Sequence, residues 1–413
     1  MTAIIHDTLP CGIEYAVGPL PLRHVVSFQI RVISGLSVEP PDKLGLARLV
    51  EETLDKGTER FTGPQLSDAF DAIGAGRGSG TGREAITFTC TVLPEHFARA
   101  VALHAEILRA PTFPDAVVAN YLNLARQELV ALEDDPQGLV DRAICRRAFG
   151  PILGRHALGE AATFDRMTRD DLVHYWQTNF QDGRIIFTVT GAVEPAQVAE
   201  VLEQHFAGFG SAINAGRAPW PVTFTPGPLH QQKQLEQEQI GICWPGVDVR
   251  HRDFPVQQVI IGILAGGMSG RLFTEVREKQ GLVYWVSAWQ DTPRGAGMIF
   301  LGASTTPERC DRTYTTLLRE VDRLAEDIQE EELERAVTGI VAGYETKGDG
   351  TRARCGELAA DLFYHGRPML PQEKIAHVQA VTVADIRRFL ETHPRDRRCV
   401  VTLGPRPLAA DLL

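Results

Sequence analysis

No two of the seven cysteines (Cys11, Cys90, Cys145, Cys243, Cys310, Cys355 and Cys399) form a C-x-x-C pair, and their number is odd. That excludes a zinc ribbon, argues against a disulfide framework, and suits reduced thiols in a cytosolic setting. The twelve histidines are dispersed along the chain. No stretch approaches the ~20 apolar residues of a membrane span. The first residues, MTAIIHDTLPCGIEYAV, lack the basic start and apolar core of a secretory signal and the arginines of a transit peptide. A cytoplasmic protein is expected, or a periplasmic one if a signal peptide has been removed. Positive charge is also short, with 42 Lys and Arg against 53 Asp and Glu for a formal net charge of −11. Nucleic acid, whose phosphates demand a basic face, is therefore an unsuitable partner.

Two further absences narrow the chemistry. There is no G-x-S-x-G elbow and no cysteine in a nucleophile motif, so nothing supports a serine or cysteine hydrolase. The glycine-rich segment 72–84, AIGAGRGSGTGRE, precedes a strand and lacks the Gly-Lys-Ser/Thr of a phosphate loop.

What the chain does have is one pattern used twice. In the first half VVSFQIRVISG reads as a strand, GLARLVEETLDKG and GPQLSDAFDAIG as helices, and ITFTCTVLP as a strand. Two helical stretches follow, HFARAVALHAEILRAP and VVANYLNLARQELVALEDD. The second half gives a similar order: IGICWPG, the helices FPVQQVIIGILAGG and LFTEVREK, the strands LVYWVSAW and GMIFLGAST, then a long helix from Arg312. Such blocks predict an α+β class, with two homologous domains that are each a mostly antiparallel sheet with helices on one face. The expected division is 1–209, a Gly- and Pro-rich linker at 210–234, and 235–413.

The run RLFTEVREKQGLVY, Arg271 to Tyr284, joins a helix to a strand at Gly281 and brings Arg277 and Tyr284 towards one corner. By itself this reads as a solvated helix arginine and a packed strand tyrosine. The run resembles, however, the Arg/Tyr signature in the C-terminal domain of the pitrilysin, insulinase and mitochondrial-processing-peptidase group of zinc peptidases, the inverzincins. The resemblance spans nearly the whole chain and includes HALGE at 156–160. It implies an N-terminal His-x-x-Glu-His motif with a glutamate ligand further on. At the matching place, GLARLVEETLDKGT, Arg48 and Glu52 replace the histidines, Glu51 keeps the central glutamate, and Glu128 stands at the downstream ligand position.

The resemblance thus implies the family's frame with a degenerate zinc motif. A guanidinium stays protonated and repels a divalent cation, so no metal is expected in this chain, magnesium or manganese on Glu51, Glu52 and Glu128 included. Arg48 is expected to pair with Glu51, Glu52 or Glu128, or to sit on a plain solvated helix face. The function implied is a non-catalytic subunit, inactive alone, of a heterodimeric zinc metalloendopeptidase. It would form half of a peptide chamber and supply Arg277 and Tyr284 in trans to a homologous partner that holds Zn2+. One use of such pairs is trimming the precursor peptide of pyrroloquinoline quinone. A scaffold of the core-protein kind and a peptide-binding homodimer are the alternatives.

Overall fold

The computed structural model describes residues 4–181, 183–209 and 218–412. Its strands are β1 (Ile5–Thr8), β2 (Glu14–Pro19), β3 (Val26–Val32), β4 (Gly76–Thr81), β5 (Ile86–Val92), β6 (Ile185–Gly191), β7 (Gly227–Gln232), β8 (Glu238–Pro245), β9 (Val283–Asp291), β10 (Met298–Thr305) and β11 (Cys399–Gly404). They form two sheets, ordered β1-β2-β6-β3-β5-β4 and β7-β11-β8-β10-β9. With β1 set aside, both sheets have one topology. The first strand pairs parallel with the fifth, and every other pairing is antiparallel. The α+β class and the internal repeat are therefore present as read from the sequence.

Each sheet belongs to a compact unit that takes one segment from the other half of the chain. Unit 1 comprises Met1–Val130, Arg155–Ala218 and Lys347–Met369, and unit 2 comprises Ala131–Gly154, Pro219–Thr346 and Leu370–Leu413. The period-2 pattern of β3 explains the first unit. Phe28, Ile30 and Val32 enter the main core, whereas Ser27, Gln29 and Arg31 alternate with them. That second face looks solvated in the sequence, yet the helix Thr351–His365 covers it. Ser27 bonds the Thr351 hydroxyl at 2.8 Å, Thr190 donates to the Thr351 carbonyl at 2.6 Å, and Arg31 lies 5.2 Å from the Phe363 ring. In unit 2 the helix Pro136–Leu153 plays the same part, with Val140, Ile144 and Phe149 packed on Cys243, Phe300 and Val401. Each sheet thus carries a helix on the face opposite its main core, a layer that the strand periodicity does not announce.

The stretch expected to be a linker contains a strand. Of residues 210–234, 210–217 lie outside the described residues, and Gly227–Gln232 is β7, paired parallel with β11. Pro228 is tolerated there because β7 is an edge strand. The glycine-rich segment at 72–84 also holds a strand, β4, in which Gly76, Gly78 and Gly80 alternate with Arg77, Ser79 and Thr81. β4 is the other outer edge of its sheet, beside β5.

The core of unit 1 centres on Phe28, whose ring stacks on Phe187 at 5.4 Å and meets Phe97 edge-on at 6.0 Å. Phe28→Ala empties this space and should cost ~3–5 kcal/mol, read as a lowered midpoint in urea.

Candidate functional site

The helix Leu46–Thr53 carries the motif residues. It begins after Gly45, whose φ of 96° and whose Cα, with a Cβ only 2.9 Å from the Phe164 ring, admit no side chain easily. Glu39 caps the helix from outside, with one carboxylate oxygen accepting from the amides of Gly45 at 3.1 Å and Ala47 at 2.8 Å. Burial pushes its carboxyl up to about 8, against those two bonds and the charge of Arg155.

Arg48 and Glu52 lie one helical turn apart, and Glu128 reaches them from the helix Asp115–Leu132. The Arg48 guanidinium donates from Nε to Glu52 at 2.8 Å and from Nη2 to Glu128 at 2.9 Å. Burial alone would lower its pKa, but the hydrogen bonds and charges of Glu128 and Glu52 outweigh that and raise it. Glu51 is not a partner. It is buried and accepts from the hydroxyls of Ser79 and, at 3.3 Å, Thr81 on β4. Burial raises its pKa, with the charge of Glu52 adding to the effect and the two hydroxyls and Arg48 opposing it. A cavity of about 270 Å3 adjoins it, lined by Glu51, Asp55, Arg77, Ser79 and His104 among others. His104, which the sequence did not single out, is fully buried between the Phe28 and Phe70 rings. Burial pushes it down to about 4, so its imidazole is neutral, with Nδ1 donating to the Ala100 carbonyl at 2.8 Å.

This donor set does not fit zinc. The place of the first family ligand holds a fixed cation, and both remaining ligand carboxylates are already bonded to it.

In unit 2 the helix from Arg271 ends in a π-helical segment, Phe273–Glu278. Arg271 anchors it, nearly buried and bonded to Glu332 at 2.6 and 2.7 Å and to Asp327 at 2.7 Å. Gly281, at φ 58°, then turns the chain into β9, its amide bonded to the Arg277 carbonyl at 2.9 Å. The Arg277 guanidinium lies 4.8 Å from the Phe273 ring and 4.9 Å from the Tyr284 ring. Each such contact contributes ~0.5–1 kcal/mol at an exposed site. Tyr284 itself is 79% exposed. Its exposure has a backbone cause. Val283 pairs with Thr305 and Trp285 with Ser304, which leaves Tyr284 as the extra residue of a β-bulge. Bulges of this kind re-aim a side chain, and no residue pattern in LVYWVSAW signals one.

Two sheets of one topology, a helix bearing Arg48, Glu51 and Glu52 in the first and an Arg–Tyr corner in the second, make a two-domain α+β protein with an internal repeat. Comparison with known proteins agrees. A family model described as Insulinase (Peptidase family M16) matches residues 20–160, and one described as Peptidase M16 inactive domain matches residues 166–340. The chain belongs to this family, the M16 or insulinase family of peptidases. An uncharacterized zinc protease of Rickettsia bellii is 25% identical over 377 residues, which cover 91% of either chain. The uncharacterized zinc protease YmxG of Bacillus subtilis is 25% identical over 374 residues, 90% of this chain and 91% of its own. Among solved structures, a peptidase M16 inactive domain from Pseudomonas fluorescens superposes with a TM-score of 0.88 at 20% identity, over 98% of this chain and 99% of that one. A protease from Helicobacter pylori gives 0.87 at 16% identity, over 98% and 100%. Among the described residues, no helix is long and apolar enough to cross a membrane.

Two outcomes follow from the geometry. The Glu39 carboxyl titrates near 4.5 when unfolded and about 8 when folded, so the folded state holds its proton more tightly. The resulting stability is full below the unfolded value and is lost as pH rises through the folded one. Glu39→Gln should therefore flatten the fall in melting temperature between about pH 5 and pH 8, as a pH series of thermal melts would show. The second outcome concerns the metal. Arg48→His with Glu52→His removes the cation and restores two imidazoles beside Glu128, so zinc affinity by calorimetry should rise well above wild type. An unchanged affinity would show that Glu128 is not placed as a third ligand.

Proposed function

We propose that this chain is the non-catalytic subunit of a two-chain zinc endopeptidase and acts through Arg277 and Tyr284 on the active site of a homologous, zinc-bearing partner. The observation that carries the reading is the opposite fate of the two motifs. Arg48 is tied between Glu52 and Glu128 and is spent within its own unit. Arg277 and Tyr284 are held together while the phenol stays exposed, as a pair offered to another molecule would be.

The chemistry suits that division. In the partner, bound zinc would polarise the scissile carbonyl and activate water. This chain's share is a fixed positive charge at Arg277 and a hydrogen-bond donor at the Tyr284 hydroxyl, both directed at the oxyanion that develops. The Phe273 and Tyr284 rings restrict the guanidinium beforehand, so little ordering remains when substrate arrives. The substrate class is an extended peptide that adds a strand to a free sheet edge. β4 and β9 are such edges. The precursor peptide of pyrroloquinoline quinone is one candidate substrate. The seven cysteines are all free thiols, which suits a cytoplasmic setting for the pair.

The test is reconstitution with a zinc-bearing relative that co-purifies with the chain. The chain alone should cleave no peptide. Tyr284→Phe removes one hydroxyl and keeps the ring over Arg277, so pairing should persist while turnover falls about a hundredfold or more. A pair carrying both Arg277→Ala and Tyr284→Phe that cuts at the wild-type rate would reduce this chain to a scaffold.

A further inference from the structure

Unit 2 carries a slot that this chemistry leaves unused. Its walls are the indoles of Trp285 and Trp289 on β9 and one side of the helix Pro136–Leu153, and its floor is the backbone of Gly241 and Gly302. Those glycines face each other across β8 and β10. Gly302 is required by the indoles, since a Cβ there would lie 2.7 Å from the Trp285 ring and 3.0 Å from the Trp289 ring. Trp289 is also stacked on Phe300 at 5.4 Å with the planes 5° apart. Trp289 is thus a fixed wall.

The helix side of the slot is polar, with Gln137 and Asp141. Asp141 is half-buried, and its carboxyl is raised first by burial and then by the charge of Asp135. A partly buried carboxylate that lines one slot with two indoles is the chemistry that recognises a cation. Size selects among cations. The slot measures about 10 Å3 for water-sized occupants. That is room for one such group, which suits a primary ammonium and is too small for a guanidinium or a trimethylated amine.

We propose that the slot binds the protonated amine of a lysine side chain in a peptide, with Asp141 as counter-charge and Trp285 and Trp289 as walls. That the lysine comes from a peptide rests on the reading of the chain as half of a peptide-binding enzyme. A peptide added to the free edge of β9 sends alternate side chains to the face that carries Trp285 and Trp289.

The test titrates the full chain with Nα-acetyl-lysine methylamide, read by indole fluorescence and by calorimetry, with the norleucine and Nε-acetyl-lysine analogues as controls. A saturable response to the lysine compound alone is expected. Asp141→Asn, nearly isosteric, should weaken it by about tenfold or more. Trp285→Phe should weaken it as well while the melting temperature holds. Equal response to norleucine, an unchanged Asp141→Asn, or no saturable response because the slot holds a water only would each overturn the proposal. No partner subunit takes part in this titration, so its failure leaves the roles of Arg277 and Tyr284 untouched, and idle Arg277 and Tyr284 would leave a lysine-specific response standing.

Discussion

A guanidinium cannot give up its proton at any pH that a protein meets, and Arg48 places one between two carboxylates that would otherwise repel each other. Glu52 comes from the same helix and Glu128 from another 80 positions on. The triad is only partly shielded, with side-chain exposures of 21, 24 and 33%, so solvent screening keeps its net contribution modest. Its larger effect is on chemistry. With both carboxylates engaged, Glu51 is left to burial, which raises its proton affinity, and to the hydroxyls of β4, which oppose that rise. Arg48 and Glu52 of the motif helix are thus engaged internally.

The second unit repeats the topology and uses local irregularity instead. A π-helical segment, a left-handed glycine and a β-bulge follow one another between Phe273 and Trp285. Each departs from regular hydrogen bonding, and such departures persist where the surroundings hold them. Here Arg271 with Glu332 and Asp327 fixes one end, and the buried Leu282 and Val283 fix the other. Held by those anchors, Arg277 and Tyr284 come together with the phenol outside. The same fold thus silences one polar constellation and displays another.

Much of the architecture follows from the sequence, for reasons that are local. Period 2 in VVSFQIRVISG and ITFTCTVLP and period 3.6 in the helices report which side chains meet a core, and this sufficed for the α+β class and the repeat. The charge of Arg48 also tells, without any structure, that this side chain is unsuited to hold a divalent cation. The helix spacing of residues 48 and 52 places their side chains together without further information.

Long-range placement was decided by the tertiary structure. The helices Pro136–Leu153 and Thr351–His365 cover sheet faces whose residues, such as Ser27, Thr190 and Gly241, read as solvated or featureless. β4 is a strand because its backbone groups pair with β5 although three glycines weaken its own propensity. The choice of Glu52 and Glu128 over Glu51 as partners of Arg48 depends on where β4 brings Ser79. The exposure of Tyr284 depends on one extra residue opposite Ser304 and Thr305. Periodicity describes a side chain relative to its own element, whereas partners far along the chain and the register between strands are set by the packing of whole elements, which no local pattern encodes.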